Sequence, residues 1–193
     1  MNGYCWRIVS ILLLFVGGLA MGKSGYFYLK GYAVGFLIQQ AWAETKSTGE
    51  FTRAWHWSDT YPVGKLVIPS IGLSQIVLED STPGSLAFGP AHILGTSSPG
   101  DDGNIAIAGH RDSYFRNLCK INVGDEIQLE TQTDDIAYTV VSCNIAQPEE
   151  ISWLDSAGEN RITLITCYPF NFVGNAPMRY VVVGVEIIST DSK

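Results

Sequence analysis

Three side chains far apart in the 193-residue chain have the chemistry needed for acyl transfer: Cys167, His110 and Arg179. Cys167 ends the alternating run Thr163-Leu164-Ile165-Thr166, and Tyr168-Pro169 stops it. A thiol at a strand end can face a loop while the strand backbone holds it still. Its ordinary pKa is about 8.5, so a nucleophilic role calls for a cation or base nearby. Taken alone, the residue also reads as an apolar filler. His110 follows the run Ile105-Ala106-Ile107-Ala108 through Gly109, again where a strand gives way to a loop. It is better placed for acid–base work than His56, in an aromatic connector, or His92, in a Gly-Pro turn. A structural histidine is the other reading. Arg179 opens the last long β-branched run, after Pro177. A fixed guanidinium beside a thiol can stabilise the oxyanion of acyl transfer; a surface ion pair is the plain alternative. Asp112 is tempting as a third member of a triad, but pairing with Arg111 or capping the turn at Ser113 is the favoured reading.

The elements that must position these residues are mostly strands. Runs at 65–68, 74–78, 104–108, 126–130, 137–143, 161–167 and 179–188 are rich in β-formers and bounded by Gly, Pro, Asp and Asn. This pattern predicts an all-β barrel or sandwich. Short helical pieces fit at 81–88, 114–120 and 149–154. Before the strands lies a helical stretch from Gly25 to about Glu44, then a connector containing Trp55-His56-Trp57. Such aromatics suit a membrane interface, a docking surface or plain packing on the domain.

The net charge is −7, and none of the 19 acids precedes Glu44. An acidic domain behind a weakly basic leader argues against a nucleic-acid binder, since phosphate demands a positive face. The uncharged run Ile8–Gly22 follows Arg7 and precedes Lys23. Extended back through Tyr4-Cys5-Trp6, with Arg7 snorkelling, it nears the roughly 20 residues of a bilayer span. An uncleaved anchor is the expectation. A signal peptide is the competitor, but Ala20-Met21-Gly22 is a poor cleavage site. Cys5, Cys119, Cys143 and Cys167 show no C-x-x-C spacing and no metal-ligand cluster. Cys119 and Cys143 read as buried small hydrophobes, with a disulfide between them conceivable.

The three weak signals combine in one pattern. Thr163–Cys167 reads T-L-I-T-C, His110 precedes Cys167 by 57 residues, and Arg179 follows it by 12. This resembles the sortase family. The segments Ala54–Pro62, Leu86–Pro90, Gly109–Asp112 and Thr166–Phe170 resemble its subgroup from Gram-negative bacteria, class GN, over about residues 25–188. The chain departs from that subgroup around Ala91, where Gly is usual, and in its anchor. The resemblance implies a closed eight-stranded β-barrel behind a transmembrane helix, with Cys, His and Arg at one rim. With the apolar leader, the expected division is an anchor over 1–24, a helical segment and connector over 25–61, and a catalytic barrel over 62–193.

The resemblance also implies an activity. Cys167 would attack the Thr carbonyl of an LPxTG-like sorting signal, His110 would be acid and base, and Arg179 would hold the substrate or oxyanion. Thr166 would be substrate-binding. An amine from peptidoglycan or a protein would resolve the thioester, with no cofactor or metal. The implied location is the cytoplasmic (inner) membrane, single-pass, with the domain in the periplasm. Two alternatives stay open: a different cysteine hydrolase, and a non-enzymatic membrane-anchored β-module with Cys167 in a disulfide. The Ser-His-Gly-Cys run of L,D-transpeptidases is absent, because Thr166 precedes Cys167.

Overall fold

A computed structural model describes residues 3–187 apart from 57, 59, 156 and 157; the side chains of 3–5, 27 and 28 are also outside the description. Trp57, the Cys5 side chain and the expected strand end at Ile188 therefore lie outside the described residues.

Helix α1 spans Gly3–Thr48, so the two apolar stretches of the sequence form one element. No proline interrupts it, and Gly17-Gly18 and Gly22 have nothing within 4 Å of where a Cβ would stand. The chain divides into two compact units, Met1–Leu37 and Ile38–Lys193. In the first, Ile8, Val9, Ile11–Val16 and Leu19 are exposed. Among the described residues one helix is long and apolar enough to cross a membrane. In the second unit, Ile38, Ala41, Trp42 and Thr45 are buried at helical spacing. Lys46 Nζ donates to the Thr131 carbonyl at 3.0 Å and pairs with Glu130 at 3.5 Å.

Eight strands follow: β1 Pro62–Ile68, β2 Leu73–Leu78, β3 Ala91–His92, β4 Asn104–Ala108, β5 Glu126–Glu130, β6 Asp135–Ala146, β7 Arg161–Tyr168 and β8 Met178–Glu186. They close into a barrel in the order β1-β2-β3-β4-β7-β8-β6-β5. The pairs β2·β3 and β4·β7 are parallel. Alternate residues point inward, as a pleated strand requires. Leu66, Ile68, Ile105, Ile107, Ile127, Leu129, Tyr138, Ile162, Leu164 and Val182 form one buried core. Phe115 and Leu118, flanking the start of a 3₁₀ turn at Arg116–Lys120, plug it.

The outer face of β7 and β8 is covered differently. Ala146, Val181 and Val183 form a second apolar cluster with Trp153 and Ile165. Beneath it, Thr163 Oγ1 donates to Asn104 Oδ1 at 2.7 Å, and Asn104 Nδ2 donates to the Trp153 carbonyl at 2.8 Å. These bonds tie the β6–β7 connection to the barrel wall. Helix α2, Pro83–Leu86, sits in the β2–β3 connection and is capped by Thr82.

Three sequence expectations change. β3 was hidden as a turn: its His92 is a buried strand residue whose Nε2 meets the Ser97 carbonyl at 2.9 Å. The helical pieces are shorter than expected, at 83–86, 116–120 and 152–154. Cys119 is exposed rather than a buried filler, and Cys143 is half-buried, both with free thiols. Of the readings open for the aromatic connector, packing on the domain holds at Trp55, which meets Phe88 edge-on with ring centroids 5.5 Å apart.

Candidate active site

The position of Cys167 follows from strand geometry. Ile162 and Leu164 face the core, so Thr163, Ile165 and Cys167 face outward. On β8, Val182 faces the core, and Val181, Val183 and Arg179 face outward. Cys167 and Arg179 are direct partners in the antiparallel pair. Partnered residues present their side chains on the same face.

On the other flank of β7, the parallel register runs from Asn104↔Arg161 to Ala108↔Ile165. The Gly109 N–H continues this ladder by donating to the Ile165 carbonyl at 3.1 Å. Two steps further along the register, His110 comes level with Cys167. The three residues thus come side by side, two on adjacent strands and His110 just past the end of β4, at the barrel end and on its outer wall. His110 is exposed, and Cys167 and Arg179 are half-buried. All three line one cavity of about 320 Å³, with Arg111, Asp112, Gly174, Asn175 and Ala176 completing its wall.

The supports around this cavity are specific. Gly109 has no room for a side chain, because a Cβ there would stand 2.7–2.9 Å from three ring atoms of Phe115. The Phe115 N–H donates to the His110 carbonyl at 2.9 Å. Arg179 Nη1 donates to the carbonyls of Ala176 at 3.3 Å and Met178 at 3.0 Å. Among the described residues no carboxylate pairs with Arg179, so a surface ion pair does not account for it. Its charge remains available to the cavity.

Thr166 is placed differently from the other three expected residues. It is 3% exposed and faces the barrel interior. Its hydroxyl donates to the Gly109 carbonyl at 2.6 Å. It lies outside the cavity lining and ties the end of β7 to the residue before His110. Direct contact with substrate finds no support in this placement.

Asp112 also departs from expectation. Arg111 does not pair with it; its Nη2 donates instead to the carbonyls of Phe172 at 2.6 Å and Gly174 at 2.9 Å. The Asp112 backbone carbonyl accepts Arg116 Nε at 3.0 Å and Nη2 at 2.6 Å. The carboxylate itself has no hydrogen bond or ion pair among the described residues. Arg111 and the β7–β8 loop are the parts of the site that residue chemistry alone did not single out. The only sequence signal was the Gly109-His110-Arg111-Asp112 run.

A model of the sortase domain matches residues 66–187. The chain belongs to the sortase family. Sortases are cysteine transpeptidases that cleave sorting signals. Sortase D of Bacillus subtilis (strain 168) is 32% identical over 125 residues, covering 64% of this chain and 63% of that protein. The chain therefore spans just under two thirds of that relative's length. Sortase A of Bacillus anthracis is 29% identical over 208 residues, covering 97% of each chain. Among solved structures, the Sortase D5 transpeptidase of Clostridium perfringens superposes with a TM-score of 0.62 at 29% identity, covering 75% of this chain and 87% of that one. The closed barrel expected of a sortase is thereby borne out. The non-enzymatic β-module is disfavoured, and the free Cys167 thiol removes the disulfide on which it rested.

Proposed function

We propose that this chain is a sortase transpeptidase with Cys167 as nucleophile, His110 as acid and base, and Arg179 as oxyanion or substrate ligand. The observation that carries the reading is the meeting of Cys167 on β7, Arg179 on β8 and His110 just past β4 around one cavity. Family membership supplies the reaction type.

In the proposed cycle the Cys167 sulfur attacks the Thr carbonyl carbon of the signal. Negative charge moves to the carbonyl oxygen, where Arg179 stabilises it. The Thr–Gly C–N bond breaks as His110 protonates the leaving amine. A thioester remains. An acceptor amine then gives a proton to His110 and attacks the thioester carbonyl, and the thiolate leaves. Water competes slowly when no amine is present. Thr166 acts as a positioning residue, through Gly109.

Residues 1–24 are the proposed membrane anchor, 25–61 the helical segment and connector, and 62–193 the catalytic barrel. The apolar first unit of α1 supports a single-pass anchor. An inner-membrane site with a periplasmic domain, and a place in the Gram-negative subgroup, rest on the sequence segments that resemble that subgroup. The acceptor is an amine of peptidoglycan or of a partner protein. The decisive experiment incubates the full chain in detergent with a fluorogenic LPxTG peptide and a panel of amines, read by mass spectrometry. A mass adduct on Cys167 and an amide product are expected. Absence of both with every peptide tried would overturn the reading.

A further inference from the structure

A second cavity, of about 360 Å³, adjoins the first and shares one wall residue with it, Asp112. It lies between the start of β2, at Gly72, Leu73 and Gln75, and the turn that follows His110, at Ser113, Tyr114 and Asn117. The turn is held firmly. Asn117 Nδ2 donates to the Ile71 carbonyl at 3.2 Å, and the Tyr114 hydroxyl donates to the Ala87 carbonyl at 3.3 Å. Arg116 also lines the space, but its guanidinium is tied to the Asp112 backbone carbonyl through Nε and Nη2. The Asp112 carboxylate is left without a partner among the described residues. It is an exposed anion between the thiol cavity and a second, polar-walled one.

A transpeptidase must bring a second substrate to the thioester from the side of its base, and at neutral pH a primary amine arrives as an ammonium ion. We propose that this second cavity docks the acceptor, a peptide with a free primary amine whose ammonium is received by the Asp112 carboxylate. The inference rests on the transpeptidase reading and names the class of its second substrate. The bound ammonium passes one proton to the His110 imidazole. Its nitrogen lone pair then bonds to the thioester carbonyl carbon. The C–S bond breaks with the sulfur leaving as thiolate, and the second nitrogen proton goes to water. The amide keeps one hydrogen, and His110 keeps its proton for the next leaving amine. Asp112 orients the amine and is not required for thioester formation.

The test uses the full chain in detergent, a fluorogenic LPxTG peptide as donor, triglycinamide as cationic acceptor and hydroxylamine as uncharged nucleophile. Asp112→Asn is expected to raise the KM for triglycinamide by about twofold to fivefold, the range of one exposed charge pair. The ratio of aminolysis to hydrolysis should fall in step, and the response to hydroxylamine should follow hydrolysis. Gln75→Glu, which adds an anion to the same cavity, should lower that KM. An unchanged KM for triglycinamide in both variants would overturn the proposal. So would a loss in Asp112→Asn shared equally by hydrolysis, hydroxylaminolysis and aminolysis, since that marks a disturbed turn. No acyl-enzyme on the unmodified chain would be a different outcome, sinking the transpeptidase reading itself.

Discussion

Cys167 of β7 lies directly opposite Arg179 of β8 in the antiparallel ladder, with both side chains on the outer wall of the barrel. The ladder, rather than the β7–β8 loop that joins them, fixes their separation to that of neighbouring strands. A cation held in this way can stabilise an oxyanion formed next to it.

Arg179→Ala should therefore cut turnover by about 10²–10³, the usual cost of one oxyanion donor. Arg179→Lys should recover little, because an ammonium cannot bond two backbone carbonyls and still present a planar fork. Single-turnover acylation followed by mass spectrometry checks both. An unshifted melting temperature would show that the barrel is intact.

Cys167→Ala should abolish the covalent adduct. His110→Ala should slow turnover by about 10²–10⁴ while leaving the thiol alkylatable. The measurement is kcat beside the rate of iodoacetamide labelling of Cys167. Undiminished transpeptidation in either variant would remove that residue from its role.

Thr166 separates positioning from contact. Thr166→Val keeps the shape but leaves the Gly109 carbonyl without its hydroxyl donor, at a cost of about 1–3 kcal/mol for a buried acceptor. Stability and kcat should fall, with KM for the sorting peptide little changed. Thr166→Ser should restore both. A change confined to KM would make Thr166 a substrate ligand after all.

Gly109→Ala should push the added methyl into the Phe115 ring. Overpacking of this kind costs about 1–3 kcal/mol. Because Gly109 precedes His110, turnover should drop with stability. A second change, Phe115→Leu, opens space and should recover part of both. Thermal melting and kcat of the single and double variants provide the check.

Most strands were legible because the barrel core imposes a period of two on Val, Ile and Leu. The runs at 104–108 and 126–130 match β4 and β5 to the residue. β3 was not legible, because two residues carry no period, and the β2–β3 and β3–β4 pairings alone define it. The types of the site residues were readable, but their proximity was not. His110 and Cys167 are 57 positions apart in sequence and come together only through the parallel β4·β7 register. The inward turn of Thr166 was implicit in the alternation of β7. The outward bias of Cys167 follows from the same alternation. The Gly109–Asp112 run pointed to Arg111 but not to its hold on the β7–β8 loop, since a guanidinium bonded to backbone carbonyls depends on loop shape.

Acid should weaken one corner of the barrel in a defined window. The Thr82 and Ser85 hydroxyls each donate to Asp80 Oδ1 at 2.7 Å. Burial pushes the Asp80 carboxyl up, but these bonds and the Thr82 N–H outweigh it and hold its pKa below the ordinary value. Its stabilisation is thus present above the unfolded-state pKa of about 3.9 and is lost as pH falls through the lower folded value. Asp80→Ala should lower the melting temperature at pH 7, and the gap to the parent should close in strong acid. A gap independent of pH would show that the carboxylate charge is not what matters there.

The parallel crossover from β4 to β7 has a consequence for biosynthesis. The imidazole leaves the ribosome well before the sulfur, and the guanidinium emerges last. The long excursion through β5 and β6 must be laid down before any two of them become neighbours, and such non-local pairings form late in folding. On the proposed roles, an unfinished chain carries an ordinary cysteine rather than a transferase site. Activity would then be withheld until β8 zips shut, wherever in the cell that happens.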